Sequence, residues 1–277
     1  MTLQELYFRI ELPCEAVAKL QEIEKGLDIR SLEALLDGLG DYRRAAEAYE
    51  KLKESLLEDE GQWKMLYCQL ECARRSWKRY EEMRIEEKIF GDTMKCFSRF
   101  LDECRRKNGI LFFDRGWWTY RQISMRLFRL GTLEYELSLW EGKPAVAVHI
   151  PSDADLSEAC VNASFSQAEN FFRTFFRKFD YEIYCCNSWL LSPVLSTMLS
   201  EDSKIRGFQK QFSIVEENQE DNSFMEWLFQ TFRDTDIREL PEKTSLQKAV
   251  KNRLLSGEKI GSGRGIRKKQ DNSYRLW

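Results

Sequence analysis

The segment Gly131–Pro151 constrains the fold more than any other stretch of the chain, because its pattern predicts a β-hairpin in a single register. It reads GTLEYELSLWEGKPAVAVHIP, in which two alternating strands flank a turn at Glu141–Gly142. Glycine tolerates the positive φ that a two-residue hairpin loop requires. Pairing Trp140 with Lys143 places all apolar pairs on one face, whereas a slip of one residue would mix valine with glutamate.

The opposite face of this hairpin carries His149, the single histidine of the chain. The register places Glu134 directly across from His149 and Glu136 across from Ala147, whose small side chain leaves the face thinly covered. A carboxylate beside an imidazole in a groove is typical of a general base. Glu134, Glu136 and His149 are therefore candidate catalytic residues. A cross-strand ion pair on the surface would use the same residue types, and this alternative stays open.

Composition excludes several classes of function. The 277 residues include 43 basic and 46 acidic side chains, and a net charge of −3 gives no general affinity for nucleic acid. The first thirty residues are charged throughout and no apolar run reaches the length of a membrane span, so we expect a cytoplasmic protein without a membrane partner. Eight cysteines and one histidine lack the spacing of a zinc site, which predicts reduced, mostly buried thiols and no metal.

The first part of the chain has the apolar spacing of helices, and it predicts an all-α domain over residues 1–110. The mixed charges on its outer faces indicate a solvated surface. The predicted helices are Pro13–Gly26, Leu32–Leu39, Asp41–Leu57, Gln62–Met83 and Glu86–Lys107.

The second part, residues 111–277, alternates strands and helices. The predicted strands are Ile110–Phe113, Thr132–Trp140, Pro144–Ile150, Tyr181–Trp189 and Lys204–Glu216. The predicted helices are a helical or irregular Trp117–Phe128, a long helix that ends near Lys178, Pro193–Leu199, Asn222–Phe232 and Thr244–Ser256. The long helix carries a phenylalanine stripe that a sheet must cover, and we expect Phe171, Phe175 and Phe176 to be buried.

Several blocks of the sequence resemble one family. FDRGWWTYRQISMRLFRLGTLEYEL at Phe113–Leu137 resembles the junction of bacterial two-domain proteins with a helical N-acyltransferase N-terminal domain and a GNAT-like C-terminal domain. IFGDTMKCFSRF, VHIPSDADLS, NSWLLSPVLSTMLSEDSKIRGFQKQF and TSLQKAVKNRLLSGEKIGSGRG resemble other blocks of these proteins. The resemblance covers nearly the whole chain. It implies an α+β fold, in which a helical N-terminal domain precedes a mixed β-sheet domain with flanking helices.

The resemblance also implies an acyltransferase that moves an acyl group from acyl-coenzyme A to a small-molecule or peptide amine. In GNAT enzymes the loop before the long helix is rich in glycine and holds the pyrophosphate with its amides. Here the corresponding Ile150–Ser157 has no glycine and contains Asp153 and Asp155, which would repel a phosphate. We therefore expect any coenzyme A to avoid the usual use of this loop. The alternative is a non-catalytic ligand- or protein-binding module on a degenerate GNAT fold.

A second phosphate candidate lies near the end of the chain. Gly261, Gly263 and Gly265 would let successive amides converge on an anion, with Arg264 and Lys268 beside them. A flexible terminal tail is the alternative for this segment.

Ser188 follows the predicted interior strand, where the resemblance implies that a substrate cleft opens. It is a candidate nucleophile if a base lies nearby. A hydroxyl that caps a turn is the alternative.

Overall fold

A computed structural model describes residues 1–270 of the chain. The chain folds into two compact units: the first is Met1–Arg129 and the second begins at Leu130. The predicted α+β class is confirmed, because helices make up the first unit and a mixed six-stranded sheet dominates the second.

The first unit is built from helices around the long amphipathic α5, which packs against its neighbours α1, α2, α3 and α8. The helices are α1 (Leu3–Arg9), α2 (Cys14–Gly26), α3 (Glu33–Gly40), α4 (Ala45–Ser55), α5 (Trp63–Met83), α6 (Glu87–Met94), α7 (Cys96–Asn108) and α8 (Gly116–Ile123). Local sequence sets several of their ends. A capping box joins Thr2 and Glu5 at the start of α1, and α7 ends at Gly109 in the left-handed region with φ 74°.

Helix α8 belongs to the first unit because buried polar groups attach it to α5. The Gln69 side chain donates to the Gly116 carbonyl at 2.8 Å and accepts from the Thr119 hydroxyl. The compact units divide after Arg129. The expected domain boundary after residue 110 stays a prediction. The predicted strand Ile110–Phe113 is wrong, since this segment has no regular structure.

The second unit contains most of the six-stranded sheet, with strand order β1-β2-β3-β4-β6-β5. Strands β3 and β4 are parallel, whereas the pairs β2–β3, β4–β6 and β5–β6 are antiparallel. The strands are β1 (Leu127–Leu130), β2 (Leu133–Trp140), β3 (Lys143–His149), β4 (Ile183–Ser188), β5 (Ser213–Asn218) and β6 (Ser262–Lys268). The helices are α9 (Glu158–Phe175), α10 (Pro193–Met198), α11 (Lys204–Gln209), α12 (Phe224–Leu228) and α13 (Ser245–Leu255).

The predicted hairpin and its register are confirmed. Trp140 pairs with Lys143 and Glu134 with His149. Both turn residues take positive φ, 48° at Glu141 and 78° at Gly142. The alternation of apolar and polar residues therefore predicted the register correctly, because a slip of one residue would move the apolar side chains to the other face.

One face of the sheet packs on α9 through aromatic side chains. Tyr135, Phe165 and Tyr184 are buried, with ring centroids 5.1–5.9 Å apart. Phe171 is buried as predicted, but Phe175 and Phe176 are only half-buried. The helix ends at Phe175, so the last two aromatic residues of the stripe lie at and beyond its final turn.

The predicted strand Lys204–Glu216 is wrong in its first half, which forms α11 before β5 begins at Ser213. Phe208 and Phe212 are both buried, the first within α11 and the second in the bend before β5. The predicted helix Asn222–Phe232 is limited to α12. The interior strand, the short helix α10 and the amphipathic α13 are confirmed.

Candidate active site

The parallel strands β3 and β4 define the candidate site, because their pairing stops before either strand ends. The register joins Val146 to Tyr184 and Ala147 to Cys185, whereas β3 continues to His149 and β4 to Ser188. In sheets with parallel strands, ligands bind in the crevice at the carboxyl ends of the strands. The end of β3 therefore places His149 where such a crevice opens.

His149 lies against a buried carboxylate. Its Nε2 atom is 2.9 Å from Oε2 of Glu136, and the side chain of Glu136 is 8% exposed whereas that of His149 is 27% exposed. Glu134 is directly across from His149, as predicted, and it is buried on the same face. The hydrogen bond shown joins His149 to Glu136, its diagonal neighbour, and a catalytic role for Glu134 stays a prediction. The burial of both carboxylates also contradicts a pair that is open to solvent.

The contact with Glu136 orients the imidazole. A carboxylate in its ionised form can only accept hydrogen bonds, so that form of Glu136 pairs with the tautomer that carries the proton on Nε2.

The reverse face of β2 holds this strand in place. Tyr135 is fully buried, as predicted for a core residue, and its hydroxyl lies 2.9 Å from the Ser164 Oγ of α9. The Ser164 hydroxyl also accepts from the Leu133 amide and donates to the Leu130 carbonyl. Burial raises the pKa of Tyr135 well above its usual range, so this phenol is a structural group rather than a base.

The loop before α9 is organised by Asp155. Its Oδ1 atom accepts from the Ser157 amide at 3.0 Å and from Lys204 Nζ at 2.8 Å. The hydrogen bond from Lys204, followed by that from the Ser157 amide, holds the pKa of Asp155 well below its usual range. A carboxylate of this chain thus lies at the helix N-terminus, where GNAT enzymes hold a phosphate.

Most of the glycine-rich segment near the end belongs to the interior strand β6, so the flexible-tail alternative is wrong. Within β6, Gly263 pairs with Ser188 and Gly265 with Cys186, and β5 lies on its other side. A Cβ atom on Gly263 would lie 2.4 Å from the Leu191 carbonyl oxygen. Gly263 therefore permits close packing within the sheet, and a phosphate-binding role for the segment stays a prediction.

Arg264 and Lys268 lie at opposite ends of β6. Arg264 pairs with Asn187 near the carboxyl end of β4, whereas Lys268 pairs with Ile183 at its start. The Arg264 guanidinium lies 4.4 Å from the Trp140 ring centroid and forms an ion pair with Glu216. Of the two, Arg264 is at the end of the sheet that carries His149. Whether either residue binds a cofactor stays a prediction.

Ser188 has a structural role that the sequence analysis left open. Its Oγ atom accepts from the Leu190 amide at 3.1 Å and caps the 3₁₀ turn Trp189–Leu191. The capping alternative is therefore confirmed, and a catalytic role for Ser188 stays a prediction.

Sequence reasoning missed Lys204 and Glu216. Their partners, Asp155 and Arg264, are 49 and 48 residues away in the chain. No local pattern signals such an ion pair, because its members meet only after the elements have packed.

Among residues 1–270, no group of three His, Cys, Asp or Glu side chains could hold a metal ion. No helix in the same range is long and apolar enough to cross a membrane. All eight cysteines are free, and burial raises the pKa of thiols such as Cys72 and Cys186.

Two protein-family domains match the chain, one in each part. Residues 127–267 match the GNAT-like C-terminal domain, and residues 1–125 match the N-acyltransferase N-terminal domain. The chain belongs to the family that joins these two domains. The membership predicted from the sequence blocks is thereby confirmed.

Solved structures with the same fold as this family member include acyltransferase complexes. One contains decanoyl-CoA and teicoplanin; it is 22% identical with a TM-score of 0.81, covering 96% of this chain and 87% of that one. A complex with CoA and 10C-teicoplanin is 22% identical with a TM-score of 0.82 over the same shares. An acyltransferase variant with octanoyl-CoA is 21% identical, also at 0.82 and over the same shares. Among curated proteins, none matches the chain significantly in sequence.

Proposed function

We propose that the protein transfers an acyl group from acyl-coenzyme A to an amine acceptor. The observation that carries this proposal is the hydrogen bond between Glu136 and His149 at the carboxyl end of β3, where the parallel ladder stops. Membership of a family named for N-acyltransferase and GNAT-like domains supports it. The acyl-CoA complexes of proteins with the same fold support the same substrate class.

The proposed chemistry needs one proton acceptor. The amine nitrogen attacks the thioester carbonyl carbon and becomes an ammonium, and His149, oriented by Glu136, takes the ammonium proton. The C–S bond then breaks with departure of coenzyme A as the thiolate, which takes up the proton, and the products are an amide and free coenzyme A. Glu134, buried on the same face, is retained as a catalytic candidate. Ser188 is retained as a weaker candidate.

We infer that the coenzyme is held without the usual loop, since the loop has no glycine and Asp155, just before α9, is paired with Lys204. We retain the glycine-rich segment near the end of the chain as the cofactor-binding candidate. Its candidate residues are Gly261, Gly263, Arg264, Gly265 and Lys268. Arg264 has the best support among them, because it lies beside the carboxyl end of β4.

We place the reaction in the reducing cytoplasm of a bacterial cell. Eight free thiols suit that compartment. The acceptor is proposed to be a small-molecule or peptide amine. Teicoplanin in two of the compared complexes makes peptide-based amines the first class to test.

One rival function has a specific observation in its favour. The glycine-free loop with Asp155 at its helix end favours a non-catalytic binding module that no longer holds a phosphate there. The enzyme would release the thiol from an acyl-CoA thioester, whereas the binding module would bind its ligand without releasing a thiol.

Calorimetric titration with acetyl-, octanoyl- and decanoyl-CoA and with CoA tests substrate binding. Thiol release and mass spectrometry with a panel of peptide and small amines then test transfer. We expect saturable binding, near −8 kcal/mol if the Kd is about 1 µM, and a new amide with one acceptor. Absence of binding to all four thiols and thioesters contradicts the enzyme, and binding without thiol release from any of them supports the module.

A further inference from the structure

A cleft of about 450 Å³ lies between α4 and α8 in the first unit, lined by residues within 46–50 and 117–121. We call it the α4–α8 cleft. Its volume falls within the range of about 300–1,000 Å³ that is usual for small-molecule sites. All of its lining residues belong to the first unit, and no part of the proposed transfer uses it.

Aromatic rings line much of the α4–α8 cleft. Trp117 is 46% exposed, and Tyr120 is half-buried one turn further along α8. Tyr49 of α4 is 4% exposed, and its ring centroid lies 6.0 Å from that of Tyr120. The exposed indole of Trp117 provides a surface on which the aromatic ring of a ligand can stack.

The hydroxyl of Tyr49 is a polar group without a protein partner in the wall of the cleft. Within residues 1–270 it forms no hydrogen bond, although the side chain is almost wholly buried. Buried hydroxyl groups of folded proteins nearly always have a partner. Since Tyr49 lines the cleft, a ligand there can supply the partner that is missing.

The rim on the α4 side is acidic. Glu47 accepts from Lys51 Nζ at 2.5 Å, so its charge is balanced within the helix. Glu50 is exposed, and neither an ion pair nor a hydrogen bond joins it to another residue of the described chain. Burial, followed by the charge of Glu50, raises the pKa of Tyr49, as expected for a carboxylate close to the hydroxyl. Glu50 thus leaves an unbalanced negative charge beside Tyr49, which attracts a cation.

Of the described lining residues, one is a cation, Arg121, and it is engaged along α8. Its Nη1 atom donates to the Trp117 carbonyl at 3.1 Å, and the guanidinium lies 4.3 Å from the Trp118 ring centroid. A guanidinium held in this way is not the partner of Glu50. The cleft therefore combines a carboxylate, a hydroxyl and an exposed aromatic ring that are all available to a ligand.

We propose that the α4–α8 cleft binds an arylalkylammonium ligand, with its ammonium on Glu50 and the Tyr49 hydroxyl and its ring against Trp117. An ammonium group has three N–H donors and no acceptor, so it can serve a carboxylate and a hydroxyl together. Its contact with the carboxylate is a charge-assisted hydrogen bond, which is the stronger kind. The inference does not depend on the proposed acyl transfer, because none of these residues takes part in it.

Packing of α4 on α8 would bury the same tyrosine rings without any ligand. If this were their whole role, Glu50 would be a solvated surface charge, and its replacement would change no ligand affinity. The two explanations therefore differ in a measurable way.

Titration of the full chain with phenethylammonium tests the inference, with the indole N–H NMR signal of Trp117 as the readout and Trp117→Phe to assign it. We expect a saturable shift whose Kd rises as sodium chloride increases from about 50 to about 500 mM. Glu50→Gln and Tyr49→Phe are each expected to raise the Kd about three- to tenfold, since each removes one contact to the ammonium. Glu54→Gln, exposed one turn further along α4 and outside the cleft, is the matched control and is expected to leave the Kd unchanged.

Two comparison ligands separate the charge from the ring. Phenethyl alcohol has the ring but no charge, and ethylammonium has the charge but no ring, so both are expected to bind more weakly than the probe. An equal Kd for phenethyl alcohol overturns the role of Glu50, and an equal Kd for ethylammonium overturns the role of Trp117.

Equal Kd values in the wild type, Glu50→Gln and Tyr49→Phe overturn the proposal, and so does the absence of a saturable shift. His149→Gln is expected to keep the wild-type Kd, which separates this site from the proposed transfer. A Kd that rises in His149→Gln but not in Glu50→Gln places the amine at the candidate active site and overturns the proposal. Thermal unfolding is expected at the wild-type temperature in Glu50→Gln and Tyr49→Phe, since neither variant loses a hydrogen bond within the described chain.

Discussion

At the residue scale, the function of the site depends on which groups touch the imidazole. His149 has a buried carboxylate, Glu136, 2.9 Å from Nε2. The hairpin register brings both residues to one face, and their side-chain rotamers place Glu136 against the imidazole.

Replacing His149 by Gln is expected to lower kcat about 10²–10⁴-fold, since the proton acceptor is lost, with little change in the Kd for decanoyl-CoA. Glu136→Gln is expected to lower kcat less, because it keeps a hydrogen bond but not the charge. Steady-state thiol release and calorimetry separate the two effects. Lys143→Ala, exposed on the same strand, is the control, and full activity of His149→Gln would remove the imidazole from the mechanism.

Gly263→Ala is expected to destabilise the protein by about 2–4 kcal/mol, because its Cβ would lie 2.4 Å from the Leu191 carbonyl oxygen. Gly207→Ala is the matched control: no atom lies within 4 Å of its Cβ, and it is inside α11. That change is expected to be neutral or to stabilise by up to about 1 kcal/mol. Urea unfolding measures both, and equal midpoints would contradict the packing role of Gly263.

At the element scale, the position of a residue within its helix decides how deeply its side chain is buried. Asp155 lies just before the start of α9, and aromatic side chains are buried along one side of this helix. The helix ends at Phe175, where the phenylalanine side chains are only half-buried. Burial along this helix is therefore uneven, although the phenylalanines look alike in the sequence.

Phe172→Ala is expected to cost about 3–5 kcal/mol in the free energy of unfolding, since its side chain is only 1% exposed. Phe175→Ala is expected to cost less than about 2 kcal/mol because the ring is half-buried. Chemical denaturation of the two variants gives the comparison. The helix end is wrongly placed if Phe175→Ala proves the more destabilising.

Asp155 should keep its charge to unusually low pH. Its pKa is depressed by Lys204 and the Ser157 amide, so the contacts are present above the unfolded-state pKa, about 3.9, and are lost as pH falls through the lower folded value. The amide chemical shift of Ser157, followed by NMR, is expected to titrate below pH 3.9. A midpoint at or above that value argues against the contact, and Asp155→Asn should abolish the titration.

At the scale of the whole molecule, the last strand joins elements that are distant in the chain. β6 lies between β4 and β5 and contributes the glycines and Arg264. A pattern that predicts a tail beyond α13 therefore fails, because the partners of this strand lie 44–85 residues earlier.

Truncation after Gly257 is expected to unfold the second unit while the helices of the first unit persist. The loss of β6 leaves the edges of β4 and β5 without their hydrogen-bond partners. Thermal unfolding of the truncated chain, followed by circular dichroism, should lack the transition that belongs to the sheet. A truncated protein with an unchanged unfolding transition would contradict the placement of β6.

The sequence alone determined the features that rest on local patterns. The hairpin register, the interior position of Tyr181–Trp189, α10, α13 and most helices of the first unit followed from periods of two or 3.6 residues and from turn and cap residues. The blocks that resemble one family determined the class of fold. These features need only neighbours along the chain, or one buried face, to be specified.

Tertiary structure decided the features that join distant segments. The segment that begins at Lys204 forms α11 rather than a strand, and the two neighbours of β6 turn an apparent tail into the interior of the sheet. Asp155 meets Lys204 only once α9 and α11 have packed. The same applies to the contact between Glu136 and His149. Each depends on which groups lose water together, and a one-dimensional pattern does not contain that information.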